Sequence, residues 1–284
     1  MPELPEVEIL VRHLRPLLRG RTIRAVEVRR PEVLQPTRPA EFKRRLIGAR
    51  FLDVTRRGKY LLFQMRAKAA RAEFTLLGHL GMTGRMYLAA KHLPLAKHAA
   101  VILDLGARNY LYDDPRYFGR LTLDTRPLAK LGPEPWDESF TAETFARQLK
   151  RYRQAIKVKL LDQTLVAGVG NIYASEALHR AGLSPRRAAR RLTMPEVARL
   201  RQAIRDVLAA AIAGGSTVPL NFGPGKSDGL FYYGRAGAGG KDYYHERLSV
   251  YDRAGQPCLR CGAPIRRIVQ AARSTFFCPR CQKS

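Results

Sequence analysis

The chain has 284 residues, of which 45% are hydrophobic and 26% are charged, so it can bury a sizeable core and is long enough for two domains. Lys and Arg number 51 against 24 Asp and Glu, which leaves a formal net charge of +27. A field this positive favours polyanionic partners, nucleic acid first, with a merely basic or membrane-binding surface as the alternative. No apolar run approaches the roughly 20 residues that span a bilayer, and the first residues are acidic, unlike a signal peptide. We therefore expect a cytoplasmic protein with no membrane attachment.

The first half of the chain predicts a helix followed by strands. Apolar residues at helical spacing predict a helix over residues 5–18, with Pro5 suited to its first turn. Short alternating or β-branched runs follow in the rhythm of a β-sandwich. These predicted strands are residues 22–28, 51–54, 60–65, 74–80, 85–88, 100–105, 110–112 and 121–123.

The second half changes to a helical pattern after a Pro- and Gly-rich stretch. That stretch predicts an interdomain linker at residues 127–140. Helical spacing then predicts helices over 142–153, 156–161, 172–181 and 195–213. A glycine-rich, aperiodic segment at 214–246 predicts a long loop. The expected fold class is α+β, with a β-sandwich domain at 1–126, a helical domain at 141–246 and a terminal cysteine unit at 247–284.

All four cysteines of the chain lie in its last 27 residues. They form two Cys-x-x-Cys pairs, Cys258 with Cys261 and Cys278 with Cys281, separated by a β-like run at 265–270. This spacing lets two tight turns close a tetrahedron of thiolates around one structural zinc ion. Free thiols or two disulfides are the alternative. The predicted ribbon also carries five arginines that can meet phosphates: Arg260, Arg266, Arg267, Arg273 and Arg280.

A turn with two glycines joins two of the predicted helices. Gly168 and Gly170 precede Asn171 there, so backbone N–H groups can face outward as an anion site. The residues resemble a helix–two-turn–helix element. Asn171 stands where an N-cap is expected, so a purely capping role is the alternative to a functional one.

The N-terminus offers a candidate nucleophile. Met1 precedes Pro2, and removal of Met1 leaves a free secondary amine that can form an iminium with an aldehyde carbon. Glu3 stands beside it and Glu6 lies one turn later. The alternative is that these residues only begin a helix, whose dipole the carboxylates complement.

Seven motifs in one order resemble the bacterial formamidopyrimidine-DNA glycosylase family nearly end to end. They are Met-Pro-Glu-Leu-Pro-Glu-Val-Glu at 1–8, Arg-Gly-Lys-Tyr-Leu-Leu at 57–62, His-Leu-Gly-Met-Thr-Gly at 79–84, Asp-Pro-Arg-Tyr-Phe-Gly at 114–119, Leu-Gly-Pro-Glu-Pro at 131–135, Gly-Val-Gly-Asn-Ile-Tyr-Ala-Ser-Glu at 168–176, and the four-cysteine ribbon. Leu4 favours this branch over the related endonuclease eight branch, whose start more usually reads Pro-Glu-Gly-Pro.

The resemblance implies a glycosylase that excises oxidised bases from duplex DNA and then cleaves the strand. Pro2 would attack C1′ of an extruded nucleotide to give a Schiff base, followed by β- and δ-elimination, while Glu3 handles protons and Glu6 supports the site. It implies phosphate contacts from Lys59, His79, Lys157, Asn171, Tyr251 and Arg273. No redox cofactor is needed, since the iminium serves as the electron sink. We expect a monomer that works on damaged DNA in the nucleoid.

The same resemblance assigns three residues to the gap that the extruded base leaves. Met82 would be an apolar wedge, Arg116 would meet the orphaned base, and Phe118 would enter the base stack. Met82 and Phe118 can alternatively belong to the core. Tyr117 departs from the family, which commonly has arginine there, and residues 232–244 look longer than the family pattern, so the preferred oxidised base stays open.

Two rival functions fit parts of the sequence. A zinc-stabilised protein that binds damaged DNA without cleaving it would share the charge and the ribbon. A transcription-type zinc-ribbon protein would explain the cysteines, but it leaves Pro2, Glu3, Lys59 and Asn171 as coincidences.

Overall fold

The computed structural model describes residues 2–68, 72–215, 221–222, 230–231 and 248–283. Most of the loop expected at 214–246, including the departure at 232–244, lies outside these ranges. The chain divides into two compact units. The first holds Pro2 and residues 6–129, and the second holds residues 3–5, 130–215 and 248–283. In the described part of the chain, no helix is both long and apolar enough to cross a membrane.

The first unit is a β-sandwich with a leading helix, as expected. Helix α1 (Leu4–Leu18) is followed by β1 (Ala25–Val28), α2 (Pro39–Leu46), β2 (Arg50–Arg57), β3 (Tyr60–Arg66), β4 (Glu73–His79), β5 (Arg85–Ala90), β6 (Ala99–Asp104), β7 (Arg108–Asp113) and β8 (Arg120–Thr122). Two antiparallel sheets form, in the orders β1-β6-β7-β5 and β2-β3-β4-β8. All eight predicted strands are therefore confirmed, whereas α2 was missed because its charged residues outnumber its apolar ones.

Aromatic rings join the two sheets in the core of this unit. Phe51 and Phe63 of one sheet lie 6.5 Å and 5.7 Å, between ring centroids, from Tyr110 of the other. All three side chains are fully buried. Alternation along β3 puts Leu61, Phe63 and Met65 on this inner face, as period-two patterning requires.

The second unit is helical. It contains α3 (Ala142–Leu149), α4 (Ile156–Leu160), α5 (Asn171–Ala181) and α6 (Met194–Ala213). The helix expected over 142–153 ends at Leu149, since Lys150 already closes it as the C-cap. Residues 131–140 pack into this unit: Gly132 N–H bonds the carbonyl of Gln163, and Phe140 belongs to the core. Leu4 joins that same core.

The remaining strands are short. Strands β9 (Asn221–Phe222) and β10 (Leu230–Phe231) pair with each other. The cysteine ribbon contains the hairpin of β11 (Arg266–Gln270) and β12 (Arg273–Phe277). Its two-residue turn, Ala271–Ala272, has both residues at positive φ, as in a type I′ hairpin turn.

Phe63→Ala should lower the free energy of unfolding of the sandwich by about 3–5 kcal/mol, because the lost ring leaves a cavity between the sheets. Phe118→Ala is the matched control, since its ring is exposed, and it should change stability by no more than about 0.5 kcal/mol. Urea unfolding followed by far-ultraviolet circular dichroism measures both. Equal losses would show that the core does not depend on Phe63.

Candidate functional site

The carboxylate of Glu3 lies at the start of α5. Its Oε2 accepts hydrogen bonds from the backbone N–H groups of Gly170 at 2.7 Å and Tyr173 at 3.4 Å, and its Oε1 accepts from Ile172 at 2.8 Å. The first N–H groups of a helix have no partner within it, and the helix dipole favours negative charge there. The anion site predicted at this turn is thus filled by a carboxylate of the chain itself.

Both glycines of the turn are required by the approach of residues 3 and 4. A Cβ at Gly170 would lie 2.3 Å from the carboxyl carbon of Glu3, and one at Gly168 would lie 2.4 Å from the side chain of Leu4. Gly168 also has φ +94°, and its carbonyl accepts the N–H of Leu4 at 3.1 Å. The Gly-Val-Gly sequence therefore holds the residues that follow Pro2 against the helix start.

The structure rules out the alternative that Asn171 only caps α5. The N-cap is Gly170, and Asn171 is the first helical residue. Glu3 already accepts the N–H groups that a capping side chain would take, which frees the amide of Asn171. Its Oδ1 accepts from Nζ of Lys157 at 2.5 Å, and its Nδ2 donates to the carbonyl of Ser274 at 2.9 Å and contacts the Tyr251 hydroxyl at 3.5 Å.

Lys157 is fully buried beside this amide. Burial first and the charge of Arg273 second lower its pKa to about 8, against the opposing effect of Glu3. Arg273 itself is exposed at the first position of β12. The second unit therefore brings together five residues singled out from the sequence: Glu3, Lys157, Asn171, Tyr251 and Arg273.

Pro2 and Glu6 are both buried. Pro2 directly precedes Glu3 in the chain, and Glu6 lies in the first turn of α1.

Lys59 and His79 lie at one end of the second sheet of the sandwich. Lys59 follows Gly58 in the turn between β2 and β3, and the next residue, Tyr60, pairs with His79 on β4. The rings of Tyr60 and His79 also contact each other, tilted by 44° with their centroids 4.8 Å apart. The two residues expected to meet phosphate are therefore neighbours in the first unit.

His79 acts as a neutral ring in this setting. Burial lowers its pKa to about 4, with the charges of Lys59 and Arg120 adding to the effect. Its Nδ1 accepts the backbone N–H of Gly81 at 3.1 Å, so the ring proton resides on Nε2. His79 can thus donate a hydrogen bond without carrying charge.

Two loops that carry the predicted wedge residues pack backbone to backbone. A Cβ at Gly81 would lie 2.6 Å from the backbone nitrogen of Gly119, so only glycine allows the approach. The buried carboxylate of Asp114 ties the loops together: it accepts the Thr83 hydroxyl at 2.7 Å and the N–H groups of Arg116 and Gly119 at 3.2 Å and 2.9 Å.

The side chains on these loops point to solvent. Met82 is 38% exposed and Phe118 is 56% exposed, which rules out the core alternative for both. The Arg116 guanidinium lies 4.7 Å from the centroid of the Phe118 ring. Tyr117, in contrast, has positive φ and turns toward Arg30, whose Nε donates to its hydroxyl at 3.2 Å.

The four cysteines form one cluster. All four Sγ atoms lie within 4.8 Å of one another. Zn–S bonds of about 2.3 Å put the thiolates of a tetrahedral site about 3.8 Å apart, so the cluster fits a zinc ion with four protein ligands. Cys258, Cys261, Cys278 and Cys281 would hold it, and the bound ion would stabilise the ribbon without offering an open position to a substrate.

Sequence reasoning missed the role of two buried carboxylates. Asp114 begins the Asp-Pro-Arg-Tyr-Phe-Gly motif at 114–119, yet only the folded structure shows that its carboxylate joins two loops. Glu176 ends another motif, and its carboxylate accepts the N–H groups of Ser249, Val250 and Tyr251 at 2.8–2.9 Å. Burial raises the pKa of Glu176 despite these bonds. An acidic residue on a buried helix face is the signal that marks Glu176.

The helical unit, with basic and amide side chains gathered at a helix start, and the four-thiolate ribbon define a helix–two-turn–helix DNA-binding protein with a zinc ribbon. Family models agree in each segment. Residues 1–121 match the formamidopyrimidine-DNA glycosylase N-terminal domain, 131–221 match its H2TH domain, and 255–283 match a zinc finger found in FPG and IleRS.

Curated relatives match over the whole chain. A formamidopyrimidine-DNA glycosylase of Thermus thermophilus is 44% identical, covering 99% of this chain and 98% of its own, and one of Pelotomaculum thermopropionicum is 42% identical, covering 100% and 99%. The chain belongs to the formamidopyrimidine-DNA glycosylase family of DNA repair enzymes.

Solved structures show the same fold. A Lactococcus lactis FPG mutant in complex with Fapy-dG containing DNA is 33% identical with a TM-score of 0.87, and MutM in complex with carbocyclic 8-oxo-G containing DNA is 34% identical with a TM-score of 0.87. Both cover 100% of this chain and of their own.

Affinity for duplex DNA should fall as the pH rises through about 8, because Lys157 loses its proton above that pKa and a neutral amine attracts phosphate less. The loss can reach about tenfold per pH unit above the pKa if only the ammonium binds. Fluorescence anisotropy with an abasic-analogue duplex at constant ionic strength, from pH 7 to 9.5, measures it.

Lys157→Arg should flatten this profile, since a guanidinium stays charged throughout. Lys150→Arg, a change of an exposed lysine in the same unit, is the matched control and should keep the wild-type profile. A wild-type profile that is already flat would mean that Lys157 does not contribute its charge to binding.

Proposed function

We propose that this protein excises oxidised bases, formamidopyrimidines and 8-oxoguanine among them, from duplex DNA and then cleaves the strand with Pro2 as nucleophile. The observation that carries the proposal is the Glu3 carboxylate fixed at the start of α5, directly after Pro2. Full-length relatives named for the glycosylase activity support it, as do related structures with Fapy-dG and 8-oxo-G containing DNA.

The chemistry requires a free secondary amine at Pro2, and hence removal of Met1. The nitrogen of Pro2 bonds to C1′ of the lesion nucleotide and gives up its proton, while the bond from C1′ to the base breaks and the base leaves with the electron pair and takes up a proton. The sugar ring then opens, O4′ takes up a proton, and an iminium forms between nitrogen and C1′. Loss of a C2′ proton sends the electron pair toward C3′, which expels the 3′ phosphate, and a second elimination releases the 5′ phosphate.

Glu3 is suited to move protons in these steps. Its carboxylate adjoins the nucleophile in sequence, and the N–H groups that hold it fix its position. Water then hydrolyses the last iminium, which returns Pro2 as a free amine. Zinc, when bound in the ribbon, supplies folding stability and stays outside the reaction.

The remaining site residues would bind the DNA. Lys59, Lys157 and Arg273 offer cations to phosphates, while His79, Asn171 and Tyr251 offer uncharged donors. Met82, Arg116 and Phe118 would fill the space of the extruded nucleotide, for which their exposure is the required property.

Reduction with borohydride tests the covalent step. Wild-type protein mixed with a duplex that contains an abasic site should give a covalent adduct, and peptide mass analysis should place it on a chain that begins with Pro2. A protein that binds the same duplex tightly but gives no adduct would instead be the non-catalytic damage-binding protein.

Glu3→Gln should abolish release of an oxidised base while leaving binding to an abasic-analogue duplex within about threefold of wild type, because the substitution removes a proton acceptor but no phosphate contact. Glu8→Gln is the matched control on the outer side of α1, where Glu8 pairs with Arg12 and Arg56. Retained excision in Glu3→Gln would remove Glu3 from the mechanism.

Lys59→Ala should reduce the slope of log affinity against log salt by about one unit, the value for one lost phosphate contact. Lys91 directly follows the last residue of β5. It is therefore about 20 Å along the strand from Arg85, the end of β5 nearest to Met82, and it forms an ion pair with Asp104. Lys91→Ala should therefore keep the wild-type slope. Identical slopes for both variants would place Lys59 away from the DNA.

A further inference from the structure

Helix α5 and the residues just after it contact the cysteine ribbon at both ends of the helix. At its first residue, Asn171 donates to the carbonyl of Ser274 on β12. Beyond its last residue, the carbonyl of Leu183 accepts Nε2 of Gln282 at 2.9 Å, and the N–H of Ser184 bonds the carbonyl of Lys283 at 3.1 Å. The helix that receives Glu3 therefore also supports the ribbon.

One contact near the end of α5 reaches a cysteine directly. Nε2 of His179 lies 3.5 Å from Sγ of Cys258, and both side chains are buried. A nitrogen-to-sulfur distance of this size is that of a hydrogen bond to a thiolate. His179 is not one of the four cluster members, so it stands just outside the predicted zinc tetrahedron.

Two of the other thiolates receive donors from their own turns. The backbone N–H of Ala263 bonds Cys261, and that of Cys281 bonds Cys278 at 3.4 Å. Such donors lower the cost of concentrating negative charge on four sulfurs, and the groups around a metal's ligands tune its affinity. For Cys258 the donor is a side chain that comes from a helix about 80 residues earlier.

We propose that His179 is a positioning residue for the zinc site: its Nε2–H donates to the Cys258 thiolate, holds that sulfur in the tetrahedron, and fastens the ribbon to α5. The proposal is independent of the covalent chemistry at Pro2. Since β12 carries Arg273 and the carbonyl that meets Asn171, fastening the ribbon also keeps those groups at the start of α5.

Substitution at His179 separates the hydrogen bond from simple packing. Leucine removes the donor, whereas the Nε2 amide of glutamine can reach the place of the ring Nε2. His179→Leu should release zinc to a coloured chelator about tenfold faster than wild type, and His179→Gln should stay within about threefold, by comparison with other groups that support metal ligands. His92, exposed in the first unit, provides the control His92→Leu, which should match wild type.

Cobalt substitution gives a readout that activity does not. The thiolate-to-cobalt charge-transfer band of His179→Leu should shift relative to wild type, because the sulfur loses a donor, while that of His179→Gln should stay close. Release rates and spectra that are unchanged in His179→Leu would overturn the proposal. Equal defects in the leucine and glutamine variants would also overturn it, because ring packing would then be the cause.

The wild-type protein provides a test should His179→Leu not fold. Nitrogen-15 spectra of histidine-labelled, cadmium-loaded protein report which ring nitrogen carries the proton, with His179→Gln identifying the signal. The proposal requires a protonated Nε2 and a scalar coupling from its proton to cadmium through sulfur. A proton on Nδ1, with Nε2 bare, would contradict it.

Discussion

The second unit depends on the carboxylate of Glu3, which caps helix α5 although it lies far from that helix in the sequence. Glu3 accepts the first N–H groups of α5 across 167 residues of sequence. The residue that directly follows Pro2 is thereby held at the start of this helix. The N–H groups at the start of α5 and the helix dipole stabilise the negative charge of this carboxylate. The same interaction explains both glycines of the turn, since each leaves room for residue 3 or 4, and it frees Asn171 for other partners.

Helix α5 consequently serves as the support from which the second unit is assembled. Its N-terminal end holds Glu3 and presents Asn171, its middle holds the Ser249–Tyr251 backbone through Glu176, and its last turn meets Cys258 through His179. Tyr251 and Ser274 reach the amide of Asn171 from two different segments. Both the polar and the apolar residues of this helix are almost all buried. The apolar periodicity of its sequence therefore predicted the helix but not the contacts of its polar side chains.

Local patterns sufficed wherever the cause of structure is local. Alternation predicted all eight strands of the sandwich, and Cys-x-x-Cys spacing predicted the cluster, because each depends on residues two or three apart. The failures share a different cause. The capping of α5 by Glu3, the clasp formed by Asp114 and the contact of His179 with Cys258 join residues that are distant in sequence or separated by a turn, and no periodicity records them. The sequence left the capping alternative for Asn171 open for the same reason, since the residue that accepts the first N–H groups of α5 is the remote Glu3. The resemblance to a known family named the site residues, yet it could not supply these supporting contacts.

The candidate DNA contacts differ in how they deal with charge. His79 is kept neutral by burial and by two nearby cations, and the bond from Gly81 to Nδ1 leaves its outer nitrogen as a donor. Burial and the charge of Arg273 lower the pKa of Lys157, against the effect of Glu3, so its proton is held less firmly than in a free lysine. A phosphate placed near Lys157 would favour the ammonium and oppose the effect of Arg273, so binding and protonation must strengthen each other. Asn171 links the two behaviours, since its carbonyl oxygen accepts from Lys157 while its amide nitrogen donates to the ribbon. In the second unit, the neutral amide of Asn171 therefore lies in a fixed position beside an easily deprotonated cation, Lys157.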